Sequence, residues 1–313
     1  MDQYSQPQPS FYQSEVAFEK TKNVIFETSP IKLILALVLP GVISGIIKAA
    51  QPLIIDWIVG YTDTNYSKWY SILLILNAVL IFALTCIVTF SLCKNKKEGI
   101  MILGLNFFVG SVLKIFTDFI AIFQKENGFG VLTIITYAIS LLSFVATVLL
   151  ALYLTKHGEK HAITEPINGY FSTKIEYLII AAVLITVLEY FLSALILSIF
   201  SSRGDWNLIS SISKLASDVL ILALMLIFCT KAFKNRKDSL LFFGMFSLSS
   251  VVMDIFSGFR EFLINVVNMP ATYVSWISFI AIAVLIAVRV LLLVLMTREK
   301  RADTVGTTEP QTE

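Results

Sequence analysis

The chain has 313 residues, of which 57% are hydrophobic and 15% are charged, and its formal net charge is +2. This composition is too apolar for an ordinary soluble protein, so it predicts an integral membrane protein. A net charge close to zero gives no indication of a nucleic-acid partner. The cysteines Cys86, Cys93 and Cys229 show no CxxC or metal-ligand spacing, and we expect neither a metal nor a cofactor.

Residues 1–29 are rich in Gln, Ser, Pro and Tyr and have too little apolar surface to fold alone. We expect a cytoplasmic tail that is either disordered or forms a short helix on the membrane surface. Eight apolar segments follow, and each is long enough to form a membrane-spanning helix, which needs about 20 residues. They are residues 31–50, 69–93, 99–123, 131–155, 176–200, 208–230, 240–264 and 273–297. None alternates with period two as barrel strands do, so the sequence predicts an all-α fold.

The first segment contains two prolines that complicate its interpretation. Pro40 is expected to kink the helix, and Pro52 is followed by further apolar sequence up to Tyr61. Residues 51–61 are therefore either a bent outer extension of this helix or a short re-entrant helix. The sequence leaves both alternatives open.

The distribution of basic residues predicts the orientation of the chain. With a cytoplasmic N-terminus, sixteen Lys and Arg residues fall on the cytoplasmic side, and only Lys68, Lys125 and Arg203 fall on the other. This positive-inside bias predicts a plasma (inner) membrane protein with both termini in the cytoplasm. The tryptophans lie at the predicted outer ends, where interfacial aromatic residues concentrate; they are Trp57, Trp69, Trp206 and Trp276.

An internal repeat divides the chain into two halves. The segment Lys94-Asn95-Lys96-Lys97-Glu98 returns 140 positions later as Lys234-Asn235-Arg236-Lys237-Asp238, and Gly104 then falls on Gly244 without a gap. The first and fifth segments need an offset of 141, which places Lys48 on Glu189. We predict eight transmembrane helices as two parallel four-helix repeats. The predicted boundaries are 30–155 and 175–297 for the repeats, 156–174 for a cytoplasmic linker and 298–313 for a cytoplasmic tail.

Ionisable side chains within the predicted spans are costly and normally face protein or a water-filled cavity. Helical spacing places most of them beside Gly, Ser or Thr on one face of their helix. We therefore expect these faces to converge on one polar cavity that opens outward. The candidate solute- or ion-binding residues are Asp118, Glu189, Asp218, Asp254, Glu261, Lys48, Lys114 and Lys214. Arg289 lies only two turns from a cytoplasmic end, and we expect it to extend toward that surface.

Two pairings of these charges are open. The repeat predicts crossed pairs between the halves, Lys48 with Asp254 and Lys114 with Glu189. The alternative pairs lie four residues apart within one helix, Lys114 with Asp118 and Lys214 with Asp218. Local pairs of this kind would make the charges purely structural. Without Arg289, the charges that face the predicted outward cavity are six carboxylates and four cations, and this excess of carboxylates favours a functional role. They are Asp56, Asp118, Glu189, Asp218, Asp254 and Glu261, and Lys48, Lys114, Lys214 and Arg260.

No catalytic constellation accompanies the charges, since the sequence has no Walker motif, GxSxG elbow or GxGxxG turn. The only histidines, His157 and His161, are expected in a solvated loop. We predict a permease or channel-like protein, not an enzyme, that contacts the lipid bilayer and takes a small polar or cationic solute. The main alternative is a non-transporting sensor or a partner subunit of a larger membrane complex. A membrane-embedded enzyme is favoured least, because no nucleophile and base occur together.

Overall fold

A computed structural model of the protein describes residues 25–59, 63–124, 130–156, 170–200, 206–233 and 235–298. These residues form eight long helices, which confirms the predicted all-α fold. The helices are α1 Pro30–Val59, α2 Asp63–Leu92, α3 Lys96–Gln124, α4 Gly130–Lys156, α5 Ile175–Phe200, α6 Trp206–Lys231, α7 Arg236–Asn265 and α8 Ala271–Arg298. Each contains most of one apolar segment that the sequence predicted.

Seven of the described helices, α1–α3 and α5–α8, are long and apolar enough to cross a membrane. The chain is therefore a multi-pass membrane protein. Large apolar side chains cover the outer faces, among them Leu76, Phe191 and Phe279, which are 57%, 62% and 66% exposed. These faces contact the lipid bilayer. The described part of α4 contains only a shorter apolar stretch, Val145–Leu154, so the eighth predicted span stays a prediction.

Helix α1 continues through both of its prolines, Pro40 and Pro52, and ends at Val59. Residues 51–59 are therefore an extension of α1, and the re-entrant alternative is wrong over this range. Residues 60 and 61 lie outside the described residues. Proline removes one backbone donor from a helix, but membrane helices tolerate this loss where nearby groups satisfy the freed carbonyl.

The centre of the bundle is the crossing of α3 and α7 at Gly104 and Gly244. A Cβ atom added to Gly104 would overlap the carbonyl oxygen of Leu240. One added to Gly244 would overlap the carbonyl oxygen of Ile100. The two backbones are thus in direct contact, which the absence of a side chain at both positions permits.

The other helices pack around this crossing. Helix α3 contacts α4 and α6, α7 contacts α2 and α8, and the pairs α1–α2 and α5–α6 complete the two sides. Aromatic rings fill the space beside the glycines. The ring centroids of Phe108 and Phe243 are 5.3 Å apart, and those of Phe242 and Phe246 are 5.0 Å apart. Because α2 lies against α7 and α6 against α3, polar faces from the two halves of the chain meet.

Glu98, in the first turn of α3, holds the segment that precedes α1. Its carboxylate accepts hydrogen bonds from the backbone N–H groups of Glu27 and Thr28, at 2.7 and 3.0 Å, and from the Thr28 hydroxyl. Ile25 and Phe26 are buried in the adjoining core. The predicted N-terminal tail is described only from residue 25 onward, and there it packs against the bundle.

Asp238, in the first turn of α7, holds the segment that precedes α5 in the same way. Its carboxylate accepts from the backbone N–H groups of Ser172 and Thr173, at 3.0 and 2.8 Å, and from the Thr173 hydroxyl at 2.6 Å. Asn235 caps α7 by accepting from the Asp238 N–H at 2.8 Å. A carboxylate at a helix start is also favoured by the helix dipole. Each of these two carboxylate clamps therefore ties a loop to a central helix.

Replacing Gly104 with alanine should destabilise the protein, because the new methyl group has no room against Leu240. We expect the free energy of unfolding to fall by about 2 kcal/mol, a typical loss for overpacking. Gly110→Ala in the same helix is the matched control: nothing lies within 4 Å of the added Cβ, so stability should stay constant or rise. Thermal unfolding in detergent measures both variants. Equal midpoints would contradict the close crossing.

Cys93 follows α2 and lies near the Glu98 clamp. Burial, and secondarily the negative charge of Glu98, raises the pKa of the Cys93 thiol from 9.0 to about 12. Because the thiolate is the reactive form, we expect Cys93 to resist maleimide at about pH 8, where a thiol of ordinary pKa reacts. Mass spectrometry of the labelled protein measures the extent of reaction. Rapid modification of Cys93 in the folded protein would show that this environment is open.

Candidate functional site

A cavity of about 420 Å³ lies between α1, α2 and α7. Lys48 lines it from α1 and Asp254 lines it from α7. Each lies about 27 Å from the first residue of its helix, at a rise of about 1.5 Å per residue. Both helices have 30 residues, so the two charges lie at similar depth, somewhat past the middle.

The α1 and α7 walls of the cavity differ in chemistry. Lys48 supplies an ammonium group, and Gln51, one turn further along α1, supplies an amide whose Nε2 is buried without a hydrogen-bond partner among the described residues. On α7, Asp254 is flanked by Ser250 and Ser257 at one-turn spacing. Lys48 acts electrostatically on Asp254, yet no direct ion pair joins them in the described part of the chain. The cavity thus lies between two opposite charges.

Helix α2 forms the third wall of the cavity. Four of its six lining side chains are apolar, and the other two are an amide and a hydroxyl. They are Leu74, Asn77, Ala78, Ile81, Phe82 and Thr85. The cavity therefore combines two polar walls with one that is mainly apolar, as is common for sites that bind small molecules.

A second group of charges lies on α3, α5 and α6, where α6 packs against each of the other two helices. This α3–α6 cluster consists of Lys114, Asp118, Glu189, Lys214 and Asp218. Lys114 Nζ donates to Asp218 Oδ1 at 3.0 Å, and the carboxyl groups of Asp118 and Asp218 lie within hydrogen-bond reach of each other. Glu189 lies within electrostatic range of Lys114 and Asp218, and Lys214 within range of Asp118. Two carboxyl groups this close are stabilised by a shared proton or a bound cation.

Seven of the eight candidate residues lie in these two places, whereas the sequence predicted one shared cavity for all eight. Lys48 and Asp254 face the same cavity, although they form no direct ion pair among the described residues. Lys114 forms its ion pair with Asp218 on α6 rather than within its own helix. Glu261 lies two turns beyond Asp254 and is not among the residues that line the cavity.

The expected extension of Arg289 toward the cytoplasmic surface is wrong, since its side chain is buried. Its Nε donates to Ser249 Oγ at 3.1 Å, its Nη1 donates to the Thr186 hydroxyl, and its guanidinium lies 3.9 Å from the Phe246 ring centroid. Glu189 supplies a negative charge within electrostatic range. These partners offset the cost of burying the cation. The sequence feature that could have predicted this environment is the presence of hydroxyl residues, Thr186 and Ser249, within the apolar α5 and α7 spans.

No group of three or more His, Cys, Asp or Glu side chains that could hold a metal ion occurs in the described residues. His157 and His161 lie outside them. No protein-family model, curated protein or solved structure matches this chain. The geometry and charges of the two sites are therefore the basis for assigning a function.

Replacing Arg289 with alanine should lower the free energy of unfolding by about 2–4 kcal/mol, because two hydrogen bonds from a buried cation and one cation–π contact are lost. Arg298→Ala is the matched control at the exposed end of the same helix. We expect it to change stability by less than about 0.5 kcal/mol. Unfolding in the same detergent compares the two variants, and an equal effect would show that Arg289 does not make these contacts.

Proposed function

We propose that the protein is a permease or channel-like membrane protein that binds a small polar solute in the α1–α2–α7 cavity. The observation that carries this proposal is the placement of Lys48 and Asp254 on two walls of an open cavity. Charges at membrane depth are costly and need a partner or water. If Lys48 and Asp254 had a purely structural role, their side chains would form a direct ion pair. Here a cavity of about 420 Å³ remains between the helices, which is a typical size for a small-molecule site.

The distribution of basic residues supports an orientation with both termini in the cytoplasm of a plasma (inner) membrane protein. In this orientation α1 and α7 begin at the cytoplasmic side. Lys48 and Asp254 then lie about 27 Å from that side along helices that are about 45 Å long. The cavity would therefore lie past the midplane, in the outer half of the membrane.

We also infer that the two halves are copies of one four-helix unit. The asparagine caps and the clamping carboxylates of α3 and α7 lie 140 positions apart. The central crossing supports the same relation, since Gly104 meets Leu240 while Gly244 meets Ile100, and these pairs also differ by 140 positions. The duplication would relate the three helices α1, α2 and α7 to α5, α6 and α3.

The burial pattern supports a different alignment for the first helix of each half. Leu33 and Leu178 are fully buried, as are Ala36 and Ala181, and both pairs differ by 145 positions rather than 141. The difference of four residues is about one helical turn. In this alignment Lys48 corresponds to Ser193 rather than to an acidic residue.

The α3–α6 cluster and the α1–α2–α7 cavity would then be related sites that differ in how their charges are paired. Beside the α3–α6 cluster, Ser193 and Ser217 share a hydrogen bond of 2.6 Å, and within the cluster Lys114 is paired with Asp218. In the α1–α2–α7 cavity the charges face open space instead. We assign solute binding to the cavity and a protonatable or cation-binding role to the cluster.

Asp254→Asn should reduce solute uptake by about tenfold or more, because it removes a charged hydrogen-bond acceptor from the cavity. Asp56→Asn makes the same change near the end of α1 and should leave uptake within about twofold, since Asp56 does not line the cavity. The measurement is the uptake of radiolabelled amino acids, amines, quaternary ammonium compounds and carboxylates into proteoliposomes that contain the purified protein.

Two outcomes of this experiment would contradict the proposal. Equal effects of Asp254→Asn and Asp56→Asn would show that the solute does not use the cavity. Absence of uptake by the wild-type protein across all four classes would favour the non-transporting sensor or subunit.

A further inference from the structure

We propose that the solute is a small zwitterion with an apolar hydrocarbon part, bound with its carboxylate toward α1 and its ammonium group toward α7. This inference rests on the proposed function and specifies its substrate class. It follows from the different chemistry of the three cavity walls.

The α1 wall favours a carboxylate. The Lys48 ammonium and the Gln51 amide lie one turn apart and line the same cavity. Gln51 Nε2 is buried and has no hydrogen-bond partner among the described residues. Buried donors normally have partners because an unpaired donor loses its hydration without compensation. A carboxylate has two oxygens and can accept from both groups at once.

The α7 wall favours an ammonium group. The Asp254 carboxylate is an acceptor, and the hydroxyls of Ser250 and Ser257 flank it at one-turn spacing. The Ser250 hydroxyl donates to the Ser247 carbonyl at 2.8 Å, which leaves its oxygen able to accept from a ligand. An ammonium group has three donors, so it can contact the carboxylate and a hydroxyl oxygen together.

A solute with one charge would leave one of these walls unmatched. An organic cation provides no acceptor for Lys48 and Gln51, and an anion provides no donor for Asp254. A neutral polyol provides no opposite charge for either Lys48 or Asp254 at membrane depth. The α2 wall, where Leu74, Ile81 and Phe82 lie, suits an apolar side chain. A zwitterion with an apolar hydrocarbon part is the solute class that matches all three walls.

Two sets of probes test this inference on the purified full-length protein in lipid nanodiscs. L-leucine, L-leucine methyl ester and N-acetyl-L-leucine share a side chain but are a zwitterion, a cation and an anion. The second set is δ-aminovalerate, pentylamine and valerate, in which the zwitterion has more widely separated charges. Isothermal titration calorimetry measures the affinities. We expect at least one zwitterion to bind about tenfold or more tightly than both of its singly charged analogues.

Charge variants identify which wall binds which end of the solute. Lys48→Met should weaken zwitterion binding to the level of the cationic analogue while leaving the affinity for that cation unchanged or higher. Asp254→Asn should weaken zwitterion binding to the level of the anionic analogue while leaving the affinity for that anion unchanged or higher. Exchange of the two charges, Lys48→Asp with Asp254→Lys, should recover zwitterion binding lost in the single variants, because the solute can bind in the reverse direction. Asp56→Asn is the control.

The outcomes separate this inference from the proposed function. Equal wild-type affinities for a zwitterion and its cation, together with no effect of Lys48→Met, would overturn the zwitterion and leave a permease for cations. Absence of binding by all six probes would also overturn it, while Asp254-dependent uptake of another solute into proteoliposomes would still support the permease. Absence of both binding and Asp254-dependent uptake would overturn both.

Discussion

The contact between the backbones of α3 and α7 at Gly104 and Gly244 is the constraint on which the rest of the bundle depends. Association of helices in lipid is driven by close packing and polar contacts rather than by the hydrophobic effect, so small residues determine where backbones can meet. This crossing lets α7 pack against α2 and α3 pack against α6. The polar faces of the two halves of the chain are thereby brought together.

Charged side chains within the bundle have two kinds of environment: some contact a partner directly, and others line a cavity. Lys114 and Asp218 compensate each other directly at 3.0 Å, and Arg289 is buried among hydroxyls, an aromatic ring and a nearby carboxylate. Lys48 and Asp254 instead line a cavity. Charges without a direct partner are costly at membrane depth, so a ligand or ordered water in the cavity would stabilise Lys48 and Asp254. We base the assignment of solute binding on this contrast.

The helices could be predicted from the sequence because the apolar segments are long and a helix satisfies its own backbone in lipid. The repeat that the sequence predicts also pairs Gly104 with Gly244, but the contact between the two helices at these glycines depends on tertiary packing. In the sequence Glu98 and Asp238 stand out only as the last residues of the repeated segment, although an asparagine followed three residues later by an acid resembles a helix-capping pattern. Arg289 was misplaced because depth along its own helix gave no information about partners on α5 and α7.

The most direct test of the account is the accessibility to water of position 254. In a variant whose native cysteines are replaced, Asp254→Cys should react with a membrane-impermeant thiosulfonate added from outside the cell. Phe259→Cys, on the same helix, replaces an exposed apolar side chain and serves as the lipid-facing reference. We expect position 254 to react about tenfold or more faster, because thiosulfonates need a hydrated thiolate. Equally slow reaction at both positions would contradict a hydrated cavity between Lys48 and Asp254.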